Sequence, residues 1–535
     1  MTPATGPVSS AGLALHQSDQ DHPPRLSIDS WRPYVGLVGV LFGSVLGTLG
    51  ARVTSFGLAD LRGGLHVGFD EGAWITTSFG VGQMLVGVAS PYLGAVFGAR
   101  RVLLTGIVIF FLASLLAPLT NTYSVFLLLM AIGGMGSGTF IPLTISYVIR
   151  SLPAKLVIFG LAAYAMNSEL SQNVAASLEG YYADAWSWHW IYWQYCLALP
   201  IMFAAIWFGM PREAINAQLL REFDWPGVCY ASVGFAMLYA ALDQGNRLDW
   251  QSSGLVVGLL VGGGALAIAF LVREVRTPRP FLNLKLLFHG NLAYLMMILV
   301  AVRLLILSTA YIIPTYLQTV QNYRELQVGQ VLLWIALPQF LIVAPLALLL
   351  RRVDGRYVLA FGTVLIGVAC LMTANITDAW ATEDFLPSQL LQAMGQSFAL
   401  TALVVLIVRS IVPVEALTVG CLLQLSRLFG GEIGTAFMQT FVRVREQFHS
   451  NAIGLHVAQG ASATTDRLAA YAAHFAAQNA DPAGGGSQSL RTLASAVARQ
   501  ANVLAYQDGF LVVGIGVFGC LLIIALMQPG KPSPY

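Results

Sequence analysis

Seven ionisable residues interrupt otherwise apolar stretches of this chain: Arg52, Asp60, Glu169, Glu179, Arg303, Arg427 and Glu432. A charge placed in hydrocarbon costs about 2.5–3.5 kcal/mol on insertion scales, and such residues usually face a wet cavity or a partner. Two kinds of chemistry are open to them. The acids can take up and release protons, and the arginines can hold an anionic group or fix helix register by ion pairing. Glu169 is the first candidate for proton exchange. It lies in Asn167-Ser-Glu169-Leu-Ser-Gln172-Asn173, where helical spacing puts Glu169, Gln172, Asn173 and Ala176 on one face, with Asn167 and Ser171 beside it. A polar stripe of this kind lines a cavity or forms a hydrogen-bonded seam between helices. Glu432 and Asp60 are the further proton candidates. Arg52, Arg303, Arg427, Asn167, Gln172 and Asn173 are the substrate-cavity candidates. Arg427 and Glu432 are separated by five residues, roughly 140° around a helix, so each is expected to find a partner on another helix. Asp60 and Glu179 fall near helix ends, where solvation is the simpler expectation.

The elements that must position these residues follow from composition. The chain has 56% hydrophobic and 10% charged residues and a mean hydropathy of +0.70, whereas a soluble domain carries about 25% charge. About 20 apolar residues span a bilayer as a helix. Fourteen stretches meet that pattern: 33–57, 73–97, 101–120, 123–150, 155–180, 188–210, 225–243, 254–273, 291–318, 328–350, 357–375, 384–411, 417–441 and 508–528. The fold class expected is an all-α polytopic membrane protein. More than half of the 28 Lys and Arg, including every lysine, fall in segments on the side of the N-terminus. The short loops opposite hold only Arg62, Arg247 and Arg324. The positive-inside rule then puts both termini in the cytoplasm. Residues 1–30 read as a disordered tail.

One outer segment, 442–507, is long, polar and alanine-rich. Two helical stretches, about 464–479 and 488–505, flank the break Asp481-Pro-Ala-Gly-Gly-Gly486. Thr464, Thr465 and Asp466 are candidate caps for the first, and Ser487 or Ser489 for the second. The segment is either a partner-docking surface or a solvated linker. The aromatic run Trp186-Ser-Trp188-His-Trp190-Ile-Tyr192-Trp193 fits an interfacial belt, with substrate stacking as the alternative.

Other chemistries find no pattern. The eight histidines and five cysteines show no metal-ligand spacing. The glycine runs 133–138 and 430–434 follow no strand and precede no Lys-Ser/Thr, so they suit close helix packing and not phosphate binding. No Ser/His/Asp or paired-carboxylate arrangement supports an enzyme. No cofactor, metal or nucleic-acid partner is expected.

Local patterns then carry a resemblance. Gly72-Ala-Trp74-Ile-Thr-Thr-Ser-Phe-Gly80, Glu179-Gly-Tyr-Tyr-Ala-Asp184-Ala-Trp186-Ser-Trp188-His-Trp190, and Leu242-Asp243-Gln-Gly245-Asn-Arg-Leu-Asp249-Trp250 occur in order along the chain. So do Pro314-Thr-Tyr-Leu-Gln318, Arg427-Leu-Phe-Gly-Gly-Glu-Ile-Gly434-Thr435 and Arg443-Val-Arg445-Glu446-Gln-Phe-His449. Together they resemble the fourteen-span drug:proton antiporter branch of the major facilitator superfamily, the EmrB-type multidrug exporters. The resemblance implies a major facilitator fold with an N-terminal six-helix bundle (31–215), two inserted helices (216–280) and a C-terminal six-helix bundle (281–535), in which 442–507 is a long periplasmic loop. It also implies a central site near the midplane and alternating access. In the tract 242–250 the resemblance reads a loop following the first inserted helix.

The departures from that family are specific. Where its first helix carries L-D-x-T, this chain has Leu49-Gly50-Ala51-Arg52. Met130 and Gly133-Gly134 stand where the fourth helix has an Arg ahead of Q-G. Ala175-Ala176-Ser-Leu-Glu179-Gly180 replaces the G-P-x-x-G-G of helix five, so its Gly-Pro kink is absent. After helix two, Leu93-Gly-Ala95-Val-Phe-Gly98-Ala-Arg100-Arg101 keeps the basic pair but has Ala95 at the acidic position. The family's coupling residues therefore do not transfer.

The expected activity is secondary export of amphipathic organic compounds, drugs or toxic metabolites, from the cytoplasm by proton antiport. The buried arginines and the missing first-helix acid favour a narrower alternative, an exporter of an endogenous organic anion such as a siderophore, a fatty acid or an aromatic acid. A sensor that has lost transport is the third reading. The partners implied are a small-molecule substrate, protons, the lipid bilayer, and a periplasmic adaptor with an outer-membrane channel, placing the chain in a bacterial inner membrane.

Overall fold

The computed structural model describes residues 31–221, 224–277, 280–288, 290–410, 416–457, 461–478 and 485–528. The tail 1–30 and most of the glycine break at 481–486 lie outside the described residues. Every element among the described residues is helical.

The first half runs α1 (Arg32–Phe56), the short α2 (Leu58–Leu65), α3 (Phe69–Gly87), α4 (Ser90–Phe97), α5 (Ala99–Leu116), α6 (Tyr123–Ser137), α7 (Phe140–Ser151), α8 (Ala154–Ala185) and α9 (Trp190–Gly209). Two stretches expected to be single spans are broken by proline. Pro91 cannot donate to the Gly87 carbonyl and its ring crowds that group; α3 and α4 meet at 46°, and Ser90 Oγ donates to the Gly87 carbonyl instead, 3.0 Å. Pro142 stands in the same relation to Gly138 between α6 and α7. By contrast α8, which lacks the Gly-Pro pair, runs unbroken for 32 residues.

A short α10 (Ala217–Arg221) leads to α11 (Trp225–Gly245) and α12 (Gly254–Arg276), which form an antiparallel pair. Asp224 caps α11 through the Gly227 N–H (3.2 Å) and is held by Arg273 of α12 at 2.7 Å. This pair is not a detached insertion. α11 packs against both α3 and the later helix α18, so it fills the cleft between the two halves.

The second half comprises α13 (Leu292–Leu305), α14 (Ile313–Thr319), α15 (Glu325–Leu349), α16 (Gly355–Thr373), α17 (Leu386–Arg409), α18 (Ala416–His456), α19 (Ser462–Gln478) and α20 (Gly485–Leu526). A π-helical turn, Ser308–Ile312, separates α13 from α14. Within the segment 442–507 the expected helical stretch 464–479 forms α19, and more of the segment is helical than expected. α18 continues fifteen residues past 441 to His456, and the stretch 488–505 is fused to the last apolar run in one 42-residue helix, α20. Arg445 and His449 of α18 both reach Asp508 of α20, at 2.6 and 2.7 Å, and fasten the two extensions together.

Among the described residues eleven helices are long and apolar enough to cross a membrane, or twelve with the bent α3–α4 pair counted as one. The chain is thus a multi-pass membrane protein. α8 and α18, the other two members of the expected fourteen, are not in that count. They are the helices that carry the polar tract 167–173 and the Arg427–Glu432 segment.

Glycines set the close approaches. A methyl on Gly82 of α3 would collide with the Ala131 carbonyl of α6, and one on Gly134 of α6 with the Phe79 carbonyl of α3. Across the halves, a methyl on Gly329 of α15 would stand 2.6 Å from the Ser177 nitrogen of α8.

Candidate functional site

A cavity of about 520 Å³ lies where α1, α3, α8, α11, α13 and α18 meet. Its walls run from Gly47, Gln83 and Arg427 at depth to Phe69, Asn246, Arg247 and Gln439 at the end of the molecule that carries α2 and the α18 extension. The opposite end is closed. There α4 lies on the start of α18, with Pro91 against Gly420, Gln424 against Gly87, and Tyr92 ring-to-ring with Phe281 at 5.3 Å.

Four arginines, Arg52, Arg247, Arg303 and Arg427, and two carboxyls, Asp243 and Glu432, line the space. The expected cavity residues Arg52, Arg303, Arg427 and Gln172 are therefore brought together, from α1, α13, α18 and α8. Each is held differently. Pro314 has no N–H for the Ala310 carbonyl, and Arg52 Nη2 donates to that carbonyl from across the molecule at 2.9 Å. Arg52 also lies over the Phe56 ring, 5.1 Å from its centroid. Arg303 Nη1 is 3.7 Å from Glu169 Oε1, and its two terminal nitrogens donate to the Gln172 amide oxygen at 3.0 and 3.1 Å in the amide orientation that satisfies both groups. Among the described residues Arg427 forms no ion pair with another helix, although Tyr164 of α8 and Tyr239 of α11 are its electrostatic neighbours. Its Nε donates to Gln424 one turn back, 3.2 Å.

Glu169 is 1% exposed and sits behind Arg303, out of direct contact with the cavity space. Neither carboxylate oxygen has a hydrogen-bond partner, so its environment is set by Arg303 and Arg52. Asn167 and Asn173 do not line the cavity. Asn167 Nδ2 donates to the Leu41 carbonyl of α1 (3.3 Å), and Asn173 Nδ2 to the Glu169 carbonyl (3.0 Å). Asn167 thus serves the α1–α8 seam, and the Asn173 bond stays within α8. Glu432 faces the Tyr239 hydroxyl of α11.

Asp60 belongs elsewhere. It lines a separate pocket of about 150 Å³ with Asp184, Arg324 and Glu325, where Arg324 bonds Asp184 at 3.1 Å. Glu179 faces Asp60 and is fully buried, against the expectation of solvation. Gly57 explains it: a side chain there would meet both Glu179 and Ile191. The aromatic run stays at the α8–α9 turn, away from the cavity, with Trp186 54% exposed and packed on Tyr182 and Trp190.

Sequence reasoning missed the wall that α11 supplies. The apolar span read at 225–243 ends on Asp243 and the resemblance places 242–250 in a loop; the helix extends to Gly245, and Asp243 and Gln244 line the cavity. Thr77 of α3 donates to Asp243, Gln244 Nε2 donates to Thr77 Oγ1 at 2.5 Å, and Arg247 donates to Gln244 at 2.8 Å and pairs with Asp70. The available signal was a carboxyl and an amide in the last turn of an apolar helix, opposite the Thr-Thr of residues 76–77.

A family model described as Major Facilitator Superfamily matches residues 40–435. The multidrug export protein EmrB of Haemophilus influenzae is 22% identical over 495 residues, 90% of this chain and 93% of that protein. The fatty acid resistance protein FarB of Neisseria gonorrhoeae is 23% identical over 502 residues, 91% and 94% of the two chains. Among solved structures, the xylose transporter XylE from E. coli superposes with a TM-score of 0.52 at 13% identity, covering 92% of this chain and 98% of that one.

Proposed function

The chain belongs to the major facilitator superfamily, and on that footing we propose that it is a secondary exporter of amphipathic organic compounds, with anionic or zwitterionic molecules preferred. The observation that carries this reading is the convergence of Arg52, Arg303 and Arg427 on one cavity. Glu169 is shared between Arg303 and Arg52, and among the described residues Arg427 is in no ion pair, its Nε donating to the Gln424 amide. A buried cation without a carboxylate demands a counter-ion, and a guanidinium binds carboxylates and phosphates with paired hydrogen bonds. The name of FarB refers to fatty acids and that of EmrB to drugs; both are amphipathic classes.

Transport is coupled to protons in this reading. Glu169 is the principal carrier and Glu432 the second. Antiport needs proton and substrate to occupy the carrier in turn, and Glu169, paired with Arg303 at the edge of the cavity, is placed so that its protonation changes the charge beside the substrate's site. The two halves are the six-helix bundles 31–215 and 281–535, with 216–280 inserted. Fourteen helices cross a bacterial inner membrane with both termini cytoplasmic, so the cavity opens outward. The helical extensions at 442–507 then lie in the periplasm and offer the surface for an adaptor that leads to an outer-membrane channel.

The test is transport by purified protein in proteoliposomes under an imposed pH gradient, with a panel of cationic dyes, fatty acids and aromatic acids. Gradient-driven movement of the acids supports the reading. Movement of cations alone, or of acids without regard to the gradient, sinks it.

A further inference from the structure

At the closed end of the molecule a second pocket, about 350 Å³, opens between the start of α5 and the end of α9. Its walls are Gly98, Arg100, Arg101, Leu104, Trp207, Arg212 and Glu213. It shares no residue with the central cavity.

The charges in this pocket are not balanced. No acidic residue occurs from Ser90 to Leu104. Glu213 is the only carboxylate in the wall, and its Oε2 accepts the Ala99 N–H at 3.0 Å, at the start of α5. Gly98, with φ +89°, turns the chain so that Glu213 packs on it. Among the described residues none of the three arginines forms an ion pair. Arg100 forms the floor. It is 7% exposed, its Nη2 donates to the Trp207 carbonyl at 2.7 Å, and its guanidinium lies 4.8 Å from the centroid of the Trp207 ring. Its Nε is buried with no partner. Arg101 reaches only the Phe97 carbonyl, at 3.3 Å, and Arg212 is exposed at the rim.

The surroundings identify the anion's source. Trp207 is 44% exposed and Phe208 62% exposed, and both project from the membrane-facing side of α9 beside the pocket. Arginines at the headgroup level, next to aromatic side chains that face acyl chains, suit a molecule with a phosphate and a hydrocarbon tail. Basic pockets between membrane helices hold anionic headgroups in this manner.

We propose that Arg100, Arg101 and Arg212 bind the phosphate of an anionic phospholipid, with its acyl chains laid over Trp207 and Phe208. The site links α5 to α9 at the sealed end and supplies the negative charge that the protein omits.

The experiment is native mass spectrometry of the full-length protein in detergent, titrated with phosphatidylglycerol, with phosphatidylcholine of the same chains, or with inorganic phosphate. Wild type should retain phosphatidylglycerol about tenfold more tightly than phosphatidylcholine. R101Q/R212Q, which alters only exposed side chains, should reduce that preference to near unity. R276Q/R352Q, which removes the same charge from exposed positions elsewhere, should keep it. R100Q should behave like R101Q/R212Q, but only the rim variant decides if R100Q fails to fold. Equal retention of the two lipids by wild type, or undiminished preference in R101Q/R212Q, overturns the proposal. Displacement of phosphatidylglycerol by millimolar inorganic phosphate also overturns it, because the site would then read a free anion and not a lipid.

Discussion

The Arg303 guanidinium stands 3.7 Å from the Glu169 carboxylate, a pair formed between α13 and α8 and therefore between the two halves of the molecule. The same guanidinium is closer to Gln172, at 3.0 Å. Arg303 thus keeps a hydrogen-bond partner whatever the state of Glu169. That arrangement lets the carboxyl change its charge without abandoning a buried cation, which would otherwise cost about 3–5 kcal/mol.

It follows that Glu169→Gln should fold and express normally while losing pH-gradient-driven efflux by tenfold or more. The check is substrate movement in proteoliposomes with and without the gradient, beside a thermal melt. Efflux that keeps its full pH dependence would move the coupling role to Glu432.

Arg303→Gln and Arg52→Gln should weaken binding of fatty and aromatic acids by at least tenfold and leave cationic dyes unchanged or bound more tightly. Arg52 also donates to the Ala310 carbonyl, but loss of Arg303 strands the buried Glu169 carboxyl, so Arg303→Gln should lower the melting temperature more than Arg52→Gln. Isothermal titration with both ligand classes settles the question. Tight cation binding that ignores both substitutions would make these arginines structural.

The sequence carried the site's charges but not its walls. Arg52, Arg303 and Arg427 stood out because a charge in an apolar run has few innocent explanations. Their convergence was not legible, since it depends on three helices meeting and not on spacing along any one. Asn167 and Asn173 share a stripe with Gln172, yet a helix face about 100° wide can meet both a cavity and a neighbour, and α1 takes Asn167. Asp243 ends the apolar span read at 225–243, and its place in the cavity wall depends on α3 meeting α11, which no spacing within α11 discloses. Helix breaks were readable in principle from Pro91 and Pro142, each four residues beyond a glycine. The fused α20 was not, because polar and apolar stretches of one helix look like two elements to a hydropathy reading.

Asp243→Asn should preserve the α3–α11 contact, because an amide oxygen still accepts from Thr77. Its stability should stay within about 1 kcal/mol of wild type, the usual worth of a hydrogen bond. The pH profile of transport should nonetheless shift, since one of the two carboxyls facing the cavity is gone. An unchanged profile would leave α11 as a filler of the cleft between the halves, with no part in the chemistry.

Gly134→Val places a branched side chain where even a methyl collides with the Phe79 carbonyl. Backbone cannot yield as a flexible side chain can, and overpacking costs about 1–3 kcal/mol. Gly454→Ala, on the exposed α18 extension with nothing within 4 Å of a Cβ, is the control. The first should melt several degrees below wild type and the second at or slightly above it. Equal melting would show that α3 and α6 are not closely packed at Gly134.

The orientation of the whole molecule yields the last expectation. Membrane insertion follows the Lys/Arg content of short loops, not net charge, and that content is concentrated on the side opposite α2. The α18 extension shares the α2 side, because Trp250 Nε1 meets Thr440 at 3.2 Å and Arg443 pairs with Asp249 of the α11–α12 turn at 3.2 Å. In a cysteine-free background, Ala469→Cys on exposed α19 should react with an impermeant maleimide in intact spheroplasts. Arg352→Cys, at the opposite end, should react only after lysis. Cys229 is exposed in the native chain, so its removal is required for the result to be read. Labelling of Arg352→Cys before lysis, with Ala469→Cys protected, would invert the molecule. The central cavity would then open to the cytoplasm and the helical extensions would lie on the wrong side for a periplasmic partner.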